Sequence, residues 1–367
     1  MQANGGAILK TIFDPTRFGN IDAKNRIVRS ATAESYAEGA DRLTGANMRT
    51  YEELAKGEVG VIITGMFGVD RKSGVHQRMP NVYDAGFVPE FRKIVNMAHF
   101  NNCKIVVQLV HSGAKANMPE GGGQPLGPSA ITLTPNNPAR AMTRQEIADL
   151  IAGFGKAAAL CKAAGADGVQ IHGAHGYLIS QFLSPHCNKR DDEYGGDIAN
   201  RGRIVLECLG AMRRETGGNY PVWIKINCHD LVEESIAMEE CVWLCKELEE
   251  GGMQAVELSA GLGLGRSTSP SKVIAEESDE GSFAREALEL AERLKIPVIS
   301  TGGFRTPGVM EQWLNKGDIA GIGLCRPLIR EPGLVKRWLE GDRAKSHCIS
   351  CNRCYRLKDG LKCQPPQ

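Results

Sequence analysis

The residues of this chain best suited to chemistry lie between positions 172 and 196, where two histidines and a tyrosine follow the apolar run GADGVQI. These residues are His172, His175 and Tyr177. A buried strand that ends in this way can aim polar side chains into a pocket. Two imidazoles can donate hydrogen bonds to a substrate oxygen, and a phenol can supply a proton. The spacing therefore indicates a site that polarises an oxygen and protonates a neighbouring atom.

Eight short apolar runs, separated by segments of helical periodicity, must position these residues. The runs begin at Asn25, Val59, Lys104, Asp167, Val222, Gln254, Pro297 and Ile319. Continuous runs rich in β-branched residues suit strands that are covered on both faces, as in a parallel sheet. Strands that alternate with helices form βαβ units, and eight such units predict an α/β fold of the (β/α)₈ TIM barrel type.

Local signals predict helix ends and three long loops. Thr143 with Glu146 is typical of a capping box, and Gly165 suits the C-terminal end of the same helix. An acidic amphipathic helix is predicted over residues 233–250. The long connections follow strands, so we expect them at the C-terminal face of the barrel, where barrel enzymes have their active sites. They cover residues 111–141, 172–203 and 259–282.

The composition is that of an ordinary globular protein with a sizeable core. The chain has 44 Lys and Arg against 43 Asp and Glu, a formal net charge of +1. This balance argues against nucleic acid or a membrane surface as the main partner. No apolar run approaches the roughly 20 residues of a membrane span, and the first residues lack a secretory pattern. We therefore expect a cytoplasmic protein.

Two groups stand out among the twelve cysteines. In a reducing compartment a disulfide framework is not expected, and five cysteines in predicted strands or helices should be small buried hydrophobic residues: Cys103, Cys161, Cys208, Cys241 and Cys245. The last four have the spacing C-x₂-C-x₂-C-x₈-C. They are Cys348, Cys351, Cys354 and Cys363. This pattern indicates iron–sulfur ligation or a Cys₄ zinc site, with free thiols as the third alternative.

The motif HGAHGYLISQFLSP at His172 resembles the signature of the old yellow enzyme family, and so do the residues that follow it, Asn188, Arg190, Asp192, Tyr194, Gly195 and Gly196. The similarity extends from residue 13 to about residue 332. Members of this family are FMN-containing ene-reductases built on a (β/α)₈ barrel. The resemblance implies that His172 and His175 bind the activating oxygen of the substrate. It also implies that Tyr177 protonates the alkene.

The resemblance also implies an FMN cradle around the barrel mouth. The residues expected beside the flavin ring are Ser30, Ala31, Thr32, Gly65, Gln108, His172 and Lys225. The phosphate is expected where the two last strands end, because glycines let backbone N–H groups approach phosphate oxygens and an arginine can pair with them. The residues expected there are Gly302, Gly303, Gly323, Cys325 and Arg326.

Three positions depart from the family pattern. Lys225 stands where the family usually has arginine, so it keeps the positive charge but loses the planar two-pronged donor. Cys325 stands where glycine is common, and Ala33 stands where a threonine or cysteine often lies near flavin N5. These departures leave open the preference for NADH or NADPH and the preferred substrate.

The cysteine-rich tail resembles the iron–sulfur region of the 2,4-dienoyl-CoA reductase branch, which has three residues rather than two between its second and third cysteines. The resemblance implies a [4Fe–4S] cluster that receives electrons from a separate donor protein. Without a cluster, NADH or NADPH would reduce FMN directly. We therefore predict an FMN-binding barrel over residues 1–335 and a cysteine-rich tail over residues 336–367.

The predicted function is FMN-dependent reduction of the C=C bond in α,β-unsaturated carbonyl or nitro compounds. We expect a small-molecule substrate and a homo-oligomer. Two other classes stay open. A tRNA dihydrouridine synthase-like enzyme should have a basic face and a cysteine in the loop after the third strand, but residues 104–124 contain no cysteine. A non-redox barrel could use Lys225 to form a Schiff base.

Overall fold

The structure is a computed structural model that describes residues 9–36, 42–71, 73, 79–118, 123–356 and 360–365. Eight parallel strands form a closed barrel in chain order, and the eighth strand pairs with the first. The strands are β1 (Ile27–Arg29), β2 (Val61–Gly68), β3 (Lys104–Val110), β4 (Gly168–Gly173), β5 (Val222–Asn227), β6 (Ala255–Ser259), β7 (Val298–Ser300) and β8 (Ile319–Leu324). One strand begins within each predicted run, so the predicted (β/α)₈ barrel is confirmed.

Helices surround the barrel. Those in the described part of the chain are α1 (Gly45–Lys56), α2 (Phe87–Phe100), α3 (Arg144–Ala164), α4 (Leu178–Leu183), α5 (Ile198–Thr216), α6 (Met238–Glu250), α7 (Ala284–Arg293), α8 (Pro307–Leu314), α9 (Arg326–Arg330) and α10 (Leu334–Leu339). Short 3₁₀ turns cover Gly113–Lys115, Glu277–Asp279 and Arg353–Tyr355. Two small sheets pair Thr16–Phe18 with Ile21–Ala23 and Leu126–Gly127 with Arg140–Ala141. None of the described helices has the length and apolar character needed to cross a bilayer.

The ends of α3 are as predicted. The Thr143 hydroxyl accepts a hydrogen bond from the Glu146 N–H at 3.2 Å, and the Glu146 carboxylate accepts one from the Thr143 N–H at 3.0 Å. Gly165 ends the helix in the left-handed conformation, with φ +90°. The capping box and the terminal glycine thus satisfy backbone groups that a bare helix end would leave without partners.

The predicted helix over residues 233–250 begins later, at Met238, so its predicted start is wrong. The preceding residues are held in a loop around Asp230, whose carboxylate accepts a hydrogen bond from the Ile236 N–H at 3.3 Å. Glu240 then accepts from the Ala237 N–H at 3.1 Å, which fixes the first turn. Local side-chain hydrogen bonds of this kind compete with helix formation.

The apolar core has two parts. A large cluster lies between the helices and the outer faces of the strands. A smaller cluster fills the barrel near the start of the strands, where Phe18 packs against Trp223 with ring centroids 5.7 Å apart. Because this end is closed by side chains, the space for a ligand lies at the opposite end, where the strands terminate.

The five cysteines expected in the core are fully buried there, which confirms that prediction. Burial raises the pKa of the Cys103 thiol to about 12 and raises the pKa values of Cys161 and Cys208 still further. Unfolding at alkaline pH therefore releases protons that the folded protein retains.

We expect the free energy of unfolding to fall as the pH rises above about 9, the ordinary pKa of a thiol. A raised folded-state pKa contributes stability that is complete below this value and is lost above it, with a slope of at most about 1.4 kcal/mol per pH unit for each thiol. Urea unfolding between pH 8 and pH 10 measures the effect. Cys161→Ala should give a shallower fall than the unmodified protein, and parallel curves would contradict the assignment.

Candidate active site

A cavity of about 350 Å³ opens where the strands end, and all eight strands or the loops that follow them contribute residues to its lining. This volume lies in the range of small-molecule sites. Of the predicted residues, those lining the cavity are Ser30, Ala31, Thr32, Gln108, His172, His175, Tyr177, Lys225, Gly302, Gly303, Gly323, Cys325 and Arg326. Gly65 lies behind the wall, where an added Cβ would be 2.9 Å from the Glu34 carboxylate.

A tight turn after β4 brings the two histidines and the tyrosine together. His175 and Gly176 both have left-handed backbone conformations, with φ of 61° and 70°. A Cβ at Gly176 would lie 2.5 Å from the Leu262 carbonyl oxygen, so the close approach requires glycine. As a result the His172 ring centroid lies 5.3 Å from that of His175 and 4.8 Å from that of Tyr177.

Burial sets the protonation of this cluster. It lowers the pKa values of His172 and His175 well below the usual range, with the charge of Lys225 as the next cause. Each neutral imidazole keeps one N–H donor. His175 Nε2 lies 2.7 Å from the Ser259 hydroxyl, while His172 Nδ1 has no hydrogen-bond partner among the described residues. Burial also raises the pKa of Tyr177 to about 12, so its hydroxyl carries a proton at neutral pH.

A lysine absent from the sequence prediction joins three loops over this cluster. Lys115 Nζ donates to the carbonyls of His175 at 2.8 Å and Leu262 at 2.5 Å, and it lies 5.5 Å from the Tyr177 ring centroid. Burial lowers the pKa of Lys115 to about 8. The residue stands in the long loop after β3, and a single lysine in a glycine-rich loop carries no pattern that marks it.

A buried polar network forms the wall between β3 and β6. Gln108 Nε2 donates to Gln170 Oε1, and Gln170 Nε2 donates to Glu257 Oε2, both at 2.8 Å. Lys225 Nζ donates to Glu257 Oε1 at 2.9 Å. Gln170 and Glu257 were not predicted. The strand register could have found them, because Gln170 lies opposite Gln108 and Glu257 lies opposite Lys225.

Cys325 and Ala33, two of the positions that depart from the family pattern, lie on the neighbouring wall of the cavity. The Thr32 hydroxyl donates to the Ser30 carbonyl at 3.1 Å and lies 3.0 Å from Cys325 Sγ. Ala33 packs instead with Met66 and Tyr177 in a small apolar cluster. The wall at Ala33 is therefore apolar, and the nearby hydroxyl is already engaged.

The opposite end of the cavity exposes backbone. Gly302 and Gly303 have φ of 130° and 79°, and a Cβ at Gly302 would lie 2.8 Å from the Ser282 backbone nitrogen. A Cβ at Gly323 would lie 2.6 Å from the Thr301 side chain. Such glycines leave room for an anion to approach backbone N–H groups.

Two buried arginines stand at this end. Arg326 Nη1 donates to the Lys272 carbonyl at 2.7 Å and to the Asn352 side chain at 2.8 Å. Arg305 Nη2 has no hydrogen-bond partner among the described residues, although the guanidinium lies 3.6 Å from Glu280. Arg305 was missed in the sequence, where it stands two residues after Gly303 in the segment GGFR.

The tail contributes to the cavity and encloses a second one. Tyr355 lines the main cavity, and its hydroxyl lies 3.0 Å from the Ser271 Oγ and 3.7 Å from Cys325 Sγ. The predicted cysteine ligands line an adjacent cavity of about 150 Å³: Cys348, Cys351, Cys354 and Cys363. All four are free thiols. Within the described ranges no three His, Cys, Asp or Glu side chains are arranged to hold a metal ion.

The fold and the cavity place the chain among barrels whose site lies at the carboxyl ends of the strands. Residues 11–345 match the NADH:flavin oxidoreductase / NADH oxidase family, and the chain belongs to this family.

Three similar proteins illustrate its range. A metal reductase of Desulforamulus reducens is 31% identical over 348 residues, which are 94% of this chain and 51% of that protein. A 2-naphthoyl-CoA reductase structure has a TM-score of 0.85 at 25% identity and covers 94% of this chain and 54% of its own. An old yellow enzyme homologue from Zymomonas mobilis has a TM-score of 0.77 at 25% identity, and the match covers 92% of this chain and 94% of that protein. This chain thus spans about half the length of the first two proteins.

Proposed function

We propose that this protein is an FMN-dependent oxidoreductase that uses NADH or NADPH to reduce the C=C bond of α,β-unsaturated carbonyl or nitro compounds. One observation carries the proposal. A single cavity has glycines and buried arginines at one end and the cluster of His172, His175 and Tyr177 at the other. When bound, FMN supplies the hydride that such a reduction needs.

The residues present suit FMN. The buried oxygen Gln108 Oε1 has no hydrogen-bond partner among the described residues and can accept a bond from the N–H of a flavin pyrimidine ring. Arg305 Nη2 is likewise without a partner there and can donate to a phosphate. The backbone at Gly302 and Gly303 is open to the same group. These features support a ligand with a polar ring edge and an anionic tail.

The protein side chains divide the remaining chemistry. His172 and His175, both neutral, would donate to the carbonyl or nitro oxygen on which negative charge develops. Donors fixed in advance stabilise that charge without reorganising. Tyr177 would then give its proton to the α-carbon of the alkene, which general acid catalysis favours once charge has developed. Lys115 would keep the tyrosine and the turn at His175 in place.

The similar proteins support redox chemistry and allow a wide range of substrates. Their names specify a metal reductase, a 2-naphthoyl-CoA reductase and an old yellow enzyme homologue. We propose a small-molecule substrate and a homo-oligomeric protein, and we leave the choice among conjugated substrates to assay.

Purified protein should be yellow and should release FMN on denaturation. Arg326→Met should weaken FMN binding by roughly 10–100-fold, because a hydrogen bond to a charged group contributes about 1.5–3 kcal/mol. Arg285→Met, which changes an exposed arginine of α7 outside both cavities, is the matched control. Titration of apoprotein with FMN, followed by flavin fluorescence, measures both variants. Protein that stays colourless after incubation with FMN would refute the proposed function.

A second proposal concerns the tail. The four cysteines line one cavity that also borders Arg326, and Tyr355 of the same segment lines the main cavity. We propose that these thiols hold an iron–sulfur cluster or zinc, and that a cluster would accept electrons from a separate donor protein. Iron, sulfide and zinc analysis of anaerobically purified protein decides between the two, and the absence of all three would leave the free-thiol alternative.

A further inference from the structure

A buried carboxylate organises one wall of the active-site cavity. Glu257, in the middle of β6, is 0% exposed. It accepts hydrogen bonds from the Ser30 hydroxyl at 2.5 Å, Lys225 Nζ at 2.9 Å and Gln170 Nε2 at 2.8 Å. All three partners donate, so the carboxylate serves only as an acceptor in this network.

The carboxylate fixes the orientation of two amides in sequence. Because Glu257 only accepts, Gln170 must turn its NH₂ group toward it and its oxygen toward Gln108. Gln108 must in turn present its NH₂ group to Gln170, and its Oε1 is left buried without a partner among the described residues. The wall therefore offers an acceptor to a ligand at this position.

The same carboxylate balances a buried cation. Lys225 is 4% exposed and lies opposite His172 in the pairing of β5 with β4, where its charge lowers the pKa values of His172 and His175. At 2.9 Å, Glu257 offsets most of this charge. The wall therefore presents the nearly neutral pair of Lys225 and Glu257. A lysine without this partner would attract negative charge strongly.

We propose that Glu257 is a positioning residue that fixes the hydrogen-bond polarity of Gln108 and offsets the charge of Lys225, and thereby holds the reduction potential of the bound flavin below the value that Lys225 alone would give. This inference rests on the proposed FMN site. Reduction of the flavin by two electrons and one proton leaves one negative charge on the ring, so an unbalanced cation nearby favours the reduced form.

The test is a double-mutant cycle measured by redox potentiometry of the FMN-loaded protein. Glu257→Gln should raise the equilibrium constant for two-electron reduction at least tenfold, which is about 30 mV. Lys225→Gln should lower it by a similar factor, because the carboxylate is then unbalanced. The double variant should return close to the unmodified protein. Glu240→Gln, which removes a carboxylate paired with Arg201 outside the cavity, should leave the potential unchanged.

The outcomes separate this inference from the proposed function. If the unmodified protein binds no FMN, both fall. If it binds FMN and the two single variants shift the potential in the same direction or not at all, the role of Glu257 falls and the flavin site stands. Where a single variant fails to fold around an unpaired buried charge, the double variant supplies the test. The double variant leaves no such charge. If its equilibrium constant for two-electron reduction differs tenfold or more from that of the unmodified protein, the inference is also refuted.

Discussion

Replacing Tyr177 with phenylalanine is expected to slow alkene reduction by roughly 10²–10⁴-fold, the usual contribution of a positioned general acid. Flavin reduction by NADH or NADPH should be nearly unchanged, because that step takes no proton from this hydroxyl. The substitution removes one oxygen from a buried ring that keeps its packing against His172. Stopped-flow measurement of the two half-reactions, with 2-cyclohexenone as oxidant, separates the effects.

Tyr220→Phe is the matched control, because Tyr220 is also buried but lies outside the cavity, and its hydroxyl has no hydrogen-bond partner among the described residues. It should leave both half-reactions unchanged. Equal slowing of both half-reactions by Tyr177→Phe would indicate a structural role for Tyr177 and would exclude it as the proton donor.

The second large effect is expected at His172. His172→Ala removes a group that we propose donates to the developing charge, and loss of one such donor typically costs ~10²–10³-fold in rate. His172→Asn keeps an N–H group and should retain more activity. Because burial lowers the pKa values of His172 and His175, neither should titrate near neutral pH. The rate of alkene reduction should therefore be flat between about pH 6.5 and pH 7.5.

His99→Ala serves as the control, since His99 pairs with Asp167 on the outside of the barrel. Single-turnover rates across this pH range measure both the size of the effect and the shape of the profile. A rate that rises or falls tenfold per pH unit there would show that a histidine changes its charge during catalysis.

The strands and helix ends were predictable because they depend on local signals. Each strand is a continuous apolar run, and α3 has a capping box and a terminal glycine that act within a few residues. The start of α6 was not predictable, because Asp230 holds the preceding residues in a loop through side-chain hydrogen bonds. The pattern of charges on the helix contains no information about that competition.

The site was predictable where its residues are close in sequence. His172, His175 and Tyr177 fall within one turn, so their spacing alone brings them together. Lys115 and Glu257 act through partners far along the chain, and those contacts depend on loop closure and strand register. A charged residue inside an otherwise apolar strand is the signal that could have identified Glu257.

The contacts of the two arginines with the tail connect the proposed phosphate site to the cavity that the tail cysteines line. Arg326 donates to the Asn352 side chain, and Arg305 donates to the Cys348 carbonyl at 3.3 Å. A phosphate that fixes these guanidinium groups also fixes the segment that carries the thiols. If a bound phosphate raises the affinity of the tail for its own ligand by some factor, the bound tail ligand must raise the affinity for phosphate by the same factor. If both proposed ligands bind and favour each other, oxidation or alkylation of the thiols should weaken the binding of the cofactor.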